Sequence, residues 1–330
     1  MSNLDDRPAE TPCGRTEGPG PVSDLLTGRD VVLGGPRGMK VTRTLPNRDV
    51  RMVGAWCFVD HYGPESLSGR DGMSVPPHPH TGLQTVSWLV EGEVLHRDSL
   101  GSVQVIRPGQ LNLMTAGRGI SHAEHSPPED ERPDGIHGVQ LWVALPDESR
   151  FQAPHFEHHA DLPVVELDGA RAVVLLGELA GARSPAATYT PIVGAELRLD
   201  KGTTLGLALR PDFEHAVLVL SGDVEVDGEG LTPGPLLYLG TGRGTLTLDA
   251  ERPSRVLLIG GEPFGEPLVM WWNFVGRDHD EIVAFREQWQ AGDPVFGSVS
   301  DDGERPPVGA RLPAPVLPNA RLAPRPGRRK

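Results

Sequence analysis

Only two cysteines, Cys13 and Cys57, occur in 330 residues, which excludes a disulfide framework. Cys57 lies in the apolar run Ala55-Trp56-Cys57-Phe58-Val59 and reads as a small core residue. No apolar stretch approaches the ~18 residues of a membrane helix, so no membrane association is expected. The start of the chain is polar and has no apolar signal region, so the expected location is cytoplasmic. Basic residues are outnumbered, with 31 Lys and Arg against 45 Asp and Glu, a net charge of −14. That balance leaves no broad cationic surface, and DNA binding by the chain alone is not expected.

Turn-formers, in contrast, abound. The 41 Gly and 33 Pro are nearly twice the usual ~12% share, which argues against a helical bundle and for short strands joined by tight turns. Strand-like runs at 103–107, 110–115, 138–145, 172–176, 244–248 and 254–259 are punctuated by Pro108-Gly109, Asp168-Gly169 and Asp227-Gly228. This is the pattern of a β-sandwich or barrel. One helix is expected at 279–291. Asp278 can cap it, Glu281 sits at the reciprocal position, and Ile282, Phe285 and Trp289 form an apolar stripe.

The chain also repeats itself. Residues 78–94 resemble 208–224, Pro108-Gly109 resembles Pro233-Gly234, and Gly117-Arg118-Gly119 resembles Gly242-Arg243-Gly244. Three blocks in the same order predict two related β-domains, roughly 30–150 and 185–265. The expected organisation is a flexible arm at 1–28, an N-terminal domain at 29–150, a connecting segment at 151–184 and a C-terminal domain at 185–300. A disordered, Pro-rich basic tail is expected at 301–330. Residues 305–330 hold seven Pro, seven Arg or Lys and no acid.

Histidine carries the chemical signal. Seven of the 12 fall between His61 and His137. His78 and His80 are two apart, as are His122 and Glu124, and on a strand such pairs face the same way. If both strands line one barrel, three imidazoles and a carboxylate converge. That donor set suits Fe(II), Mn, Ni, Cu or Zn and leaves two positions open on an octahedral ion. In the second copy, an offset of 130 puts Ala208 and Arg210 at the first pair. An offset of 125 puts Thr247 and Asp249 at the second. One metal per chain, in the N-terminal half, follows.

The runs His-Pro-His-Thr-Gly (78–82), His-Arg-Asp-Ser-Leu-Gly (96–101), Met-Thr-Ala-Gly-Arg-Gly-Ile-Ser-His-Ala-Glu (114–124) and Gly-Val-Gln-Leu-Trp-Val (138–143) resemble the pirin family of the cupin superfamily. So do Met-Trp-Trp-Asn-Phe-Val-Gly-Arg (270–277) and the segment around His61. The resemblance spans about residues 30–295. It implies an all-β bicupin: two face-to-face double-stranded β-helix barrels and a short C-terminal helix. It also implies iron held by His78, His80, His122 and Glu124. Gln84 stands where general cupins often place a ligand Glu, which argues against a fifth ligand.

Some pirins are similar to quercetin 2,3-dioxygenases in activity, so a flavonol-opening enzyme using O₂ is one expectation. Glu124 would then double as catalytic base. Gln140, on a strand whose alternate face holds Leu141, Val143 and Leu145, either hydrogen-bonds the small aromatic substrate or is a buried amide satisfied by backbone. The alternative is a non-enzymatic, iron-dependent regulator that binds a transcription factor or metabolic enzyme, with the basic tail as a contact. His61, His125 and His137 could form an outer ring around the metal, though packing roles suit each as well. Arg118 reads as a turn residue. Met114, Trp88 and Trp142 read as core.

Overall fold

A computed structural model describes residues 11–13, 20–33, 39–70, 72–301, 303 and 306–324. Its strands form two barrels of like topology. The first barrel pairs a seven-stranded with a four-stranded sheet. The larger runs His155–His159, Leu111–Thr115, Leu83–Glu91, Gly135–Ala144, Trp56–Ser66, Met39–Leu45 and Arg29–Leu33. The smaller runs Ser74–His80, Ile120–His125, Val94–Asp98 and Val103–Ile106. In the second barrel, Leu236–Gly240, Glu214–Ser221, Ser254–Gly261 and Ile192–Leu199 repeat the central order of the larger sheet. Thr203–Ala208, Thr245–Ala250, Val224–Val226 and Glu229–Leu231 repeat the smaller one.

Alternation along the strands decides what each face does. On Gly135–Ala144, Val139, Leu141 and Val143 face the second domain. They share one core with Trp56, Val86, Trp88, Ala216, Leu218, Tyr238, Leu257 and Ile259. The two large sheets therefore pack face to face. Tryptophans fasten them: Trp56 donates to the carbonyls of Val193 and Gly260, and Trp88 donates to the Glu196 carboxylate at 2.9 Å. The opposite face of the strand, with Gln140, Trp142 and Ala144, looks into the first barrel.

The helix forms over His279–Ala291 as read from sequence. Asp278 accepts from the Glu281 amide, Ile282, Phe285 and Trp289 are buried, and Gly292 ends it with φ 74°. The reciprocal bond differs by one residue, because Glu281 accepts from the Arg277 amide rather than that of Asp278.

Three domain expectations need correction. The arm is not free at Asp24–Leu26, which pairs with Leu236–Gly240 of the second domain, nor at Thr11–Cys13, which pairs with Leu268–Trp271. The connecting segment is no linker: His155–His159 completes the first domain's large sheet, and Val164–Leu167 and Ala170–Leu179 belong to the second. The tail is packed over residues 306–324, with Val308, Ala314 and Leu322 buried. Its Leu312 amide donates to the Pro77 carbonyl, and its Leu312 carbonyl accepts from the Trp289 indole. Composition alone missed these apolar anchors because they are spaced widely among prolines. Residues 325–330 lie outside the described residues. No described helix is long and apolar enough to cross a membrane.

Candidate metal centre

The two histidine-bearing strands are direct antiparallel neighbours, with His122 opposite His78. An extra residue in Ser74–His80 then shifts the register, so that Glu124 opposes Val75. The bulge coincides with Pro76-Pro77 on an edge strand, where a missing N–H is tolerated. Ligating atoms of His78, His80 and His122 lie within 4.8 Å of one another, all three residues buried. Among the described residues this is the one such cluster. Glu124 is buried on the same strand face but is not within that set.

Each imidazole is aimed by its other nitrogen. His78 Nδ1 donates to the Pro76 carbonyl at 2.9 Å, and His80 Nδ1 donates to the Asn273 carbonyl at 3.1 Å. The third is set by a relay. His96 Nε2 lies 3.1 Å from the Asp98 carboxylate, which can only accept, so His96 Nδ1 carries a lone pair. His122 Nδ1, 3.4 Å away, donates to it. All three Nε2 atoms are left buried, as lone pairs, and without a hydrogen-bond partner among the described residues. Such orphaned acceptors are what an ion satisfies, and outer-shell bonds of this kind orient metal ligands.

Electrostatics agree. Burial pushes His78 down to about 4, and burial with neighbouring imidazoles holds His80 and His122 well below the usual histidine range. The rings are neutral at pH 7 and ready to ligate. Burial opposes ionisation of Asp98, yet its bonds to His96 and Ser102 hold it below the ordinary carboxylate range.

The surroundings are built from both domains' sequence. Asn273 lies 193 residues from His80. Its segment crosses to the first barrel through Thr81 and Phe274. Gly82, with φ 68°, admits that crossing, because a Cβ there would strike the Val275 carbonyl. Trp142 packs edge-on to His80 with ring centroids 5.1 Å apart, and Phe156 stacks on His96 at 4.4 Å.

Other expectations sort themselves. Gln84 is spent elsewhere, donating to Thr115 and to the Ala187 carbonyl. Gln140 faces the barrel interior and accepts from Ser87 at 2.7 Å. His61 and His137 face away from the centre and contact each other at 2.9 Å. His125, on the reverse face of its strand, also points away. Trp142 is core and site wall at once. Arg118 is exposed in a turn. His96 and Asp98 had not been singled out, although they too stand two apart on one strand.

The second barrel explains its lack of ligands differently from the repeat alignment. Thr247 pairs with Gly206, so Gly206 rather than Ala208 is the counterpart of His78. Gly206 and Thr247 are also exposed. The pleat instead turns Leu205, Leu207, Leu246 and Leu248 inward, and these fill the barrel.

The profile of the pirin family matches residues 38–143, and that of the pirin C-terminal cupin domain matches 194–295. A Pseudomonas aeruginosa protein named "Putative quercetin 2,3-dioxygenase" is 48% identical over 293 residues, covering 89% of this chain and 90% of its own length. Human pirin is 32% identical over 254 residues, covering 74% of this chain and 84% of its own. The crystal structure of a quercetin 2,3-dioxygenase from Acinetobacter baumannii superposes with a TM-score of 0.84 at 46% identity, covering 90% of this chain and 96% of its own. With its fold, its histidine triad and these similarities in agreement, the chain belongs to the pirin family.

Proposed function

We propose that this chain is a metal-dependent dioxygenase that opens flavonols such as quercetin with O₂, using Fe(II) held by His78, His80, His122 and Glu124. The observation that carries the reading is the set of three buried, lone-pair-bearing Nε2 atoms in a barrel walled by aromatic side chains. Names of the relatives support the substrate class. An ion bound there supplies Lewis acidity toward a flavonol oxygen and an electron path to O₂.

The protein's own groups supply the rest. Glu124, buried on the same strand face as His122, would be the fourth ligand and would accept the proton of the flavonol 3-hydroxyl. Trp142 and Phe156 offer flat apolar walls. Gln140, its oxygen already engaged by Ser87, presents its amide N–H to the substrate. The alternative is an iron-dependent regulator, and residues 306–324 of the tail it would use as a contact lie against the body.

The test loads purified protein anaerobically with Fe(II), Mn, Ni, Cu or Zn, then adds quercetin and air. Loss of the flavonol band together with oxygen uptake is expected. The His122→Ala variant should lose both bound metal and turnover. Stoichiometric metal with no flavonol consumption under any ion would replace the enzyme by the iron-dependent regulator.

A further inference from the structure

Six strands of the first domain's large sheet each contribute one inward polar residue to a single row. Cross-strand pairing runs Arg43–Asp60–Gln140–Ser87–Asn112–His158 without interruption. Neighbours in register share a face, so this row forms a belt across the barrel interior. One flanking row, Phe58–Trp142–Thr85–Met114–Phe156, touches His80 through Trp142 and His96 through Phe156. Tyr62, in the row on the other side, lies within electrostatic reach of Glu124. The belt therefore sits across the barrel from the metal ligands.

Most of the belt is self-satisfied. Arg43 forks onto Asp60 at 2.7 and 2.8 Å. Ser87 donates to Gln140 Oε1 at 2.7 Å. The Gln104 amide, 3.5 Å away, faces His158 Nε2, so His158 Nδ1 carries the proton and donates to Asn112 Oδ1 at 2.7 Å. That sequence of donors fixes the Asn112 amide, while Gln140 turns its Oε1 to the Ser87 hydroxyl. What remains is Gln140 Nε2 and Asn112 Nδ2, each buried and each without a hydrogen-bond partner among the described residues. The two residues are 1% and 3% exposed. They are separated by one strand, about 10 Å between backbones. Leaving two amide groups buried and unbonded is unfavourable unless a ligand completes them.

We infer that Asn112 and Gln140 form a paired-donor subsite that selects planar aromatic ligands carrying oxygens remote from the metal-facing group. This rests on the flavonol reading above and deepens it. The apolar row beside the belt takes the ring faces, and the two amides take ring oxygens as acceptors. An oxygen-poor flavonol would leave both donors buried and unpaired. Selectivity then arises from that unmet hydrogen bonding rather than from metal contact.

The test is equilibrium binding to zinc-loaded protein without O₂, comparing quercetin with 3-hydroxyflavone, which shares the metal-facing oxygens and lacks the others. Wild type should prefer quercetin by about tenfold or more for each donor used. Asn112→Asp and Gln140→Glu keep the acceptors for His158 and Ser87 and remove the donors. Each should lower quercetin affinity about tenfold, leave 3-hydroxyflavone affinity nearly unchanged, and retain one zinc per chain. Equal binding of the two flavonols by wild type, or no binding of either, overturns the inference even if no variant folds. An unchanged ratio in folded, zinc-replete variants overturns it too. Selective binding by the zinc form with no turnover in air by the Fe(II), Mn, Ni or Cu form would sink the dioxygenase reading alone, and turnover without selectivity would sink only the subsite.

Discussion

A single proton position governs the candidate metal centre at the residue scale. His122 can ligate through Nε2 only while its Nδ1 carries hydrogen, and that depends on His96 accepting, which depends on Asp98. Asp98→Asn tests the relay sparingly, since Asn keeps an oxygen for the Leu100 and Ser102 amides that Asp98 Oδ1 now receives. Its new amide nitrogen would donate to His96 Nε2 and reverse the relay, placing the proton on His122 Nε2. Metal affinity should fall about 10–100-fold with the fold intact. Competition against a chromophoric chelator measures this, and wild-type affinity in the variant would refute the tautomer chain. The pair His96-x-Asp98 was legible as a same-face pair. What hid it was that nothing in a sequence says which of several such pairs meet.

Elements show where spacing suffices and where it fails. The helix was readable because its cap and its apolar stripe are local signals, from Asp278 to Trp289 along one short segment. The tail was not, because its order comes from partners far away in the chain. Trp289, Pro77 and Asp280 receive Leu312 and Arg321 from a segment that has no secondary structure of its own. Removing residues 306–330 exposes the surfaces covered by Val308, Ala314 and Leu322 and strips the Trp289 indole of its acceptor. Burial of one such aliphatic side chain is worth about 1.5–3 kcal/mol, so the melting temperature should drop by several degrees. A thermal scan checks it, and an unchanged midpoint would mean the tail is merely laid on the surface.

Across the whole molecule the two barrels act as one body, because each large sheet buries its outer face on the other. Buried histidines lie near this junction. Burial first, then His137, lowers His61 to about 4, and burial first, then Arg255, lowers His137 to about 4. His215 of the second domain is likewise held at about 4 by burial. Below the unfolded value of 6.5 the unfolded chain takes up protons that the native chain refuses. Stability is therefore complete above pH 6.5 and declines as pH falls toward 4. Each group contributes up to about 1.4 kcal/mol per pH unit in that window. Urea midpoints at pH 7.5 and pH 5.0 should differ accordingly. Equal midpoints would show that these rings are protonated or exposed in the native state.

The sequence by itself determined the all-β character, the duplication, the helix, and the identity of the three histidines that cluster in the first barrel. Each of these follows from facts legible along the chain: turn residues, a repeat, a helix cap with its apolar stripe, and the two-residue period of a strand. Only the tertiary structure decided the rest. The pleat phase of the second barrel, one residue away from the aligned one, replaced candidate ligands by leucines. The Asn273 carbonyl, the His96–Asp98 relay and the six-strand polar row arise from contacts between segments tens to hundreds of residues apart. Register and burial set those contacts, and neither is written in the spacing of any single motif.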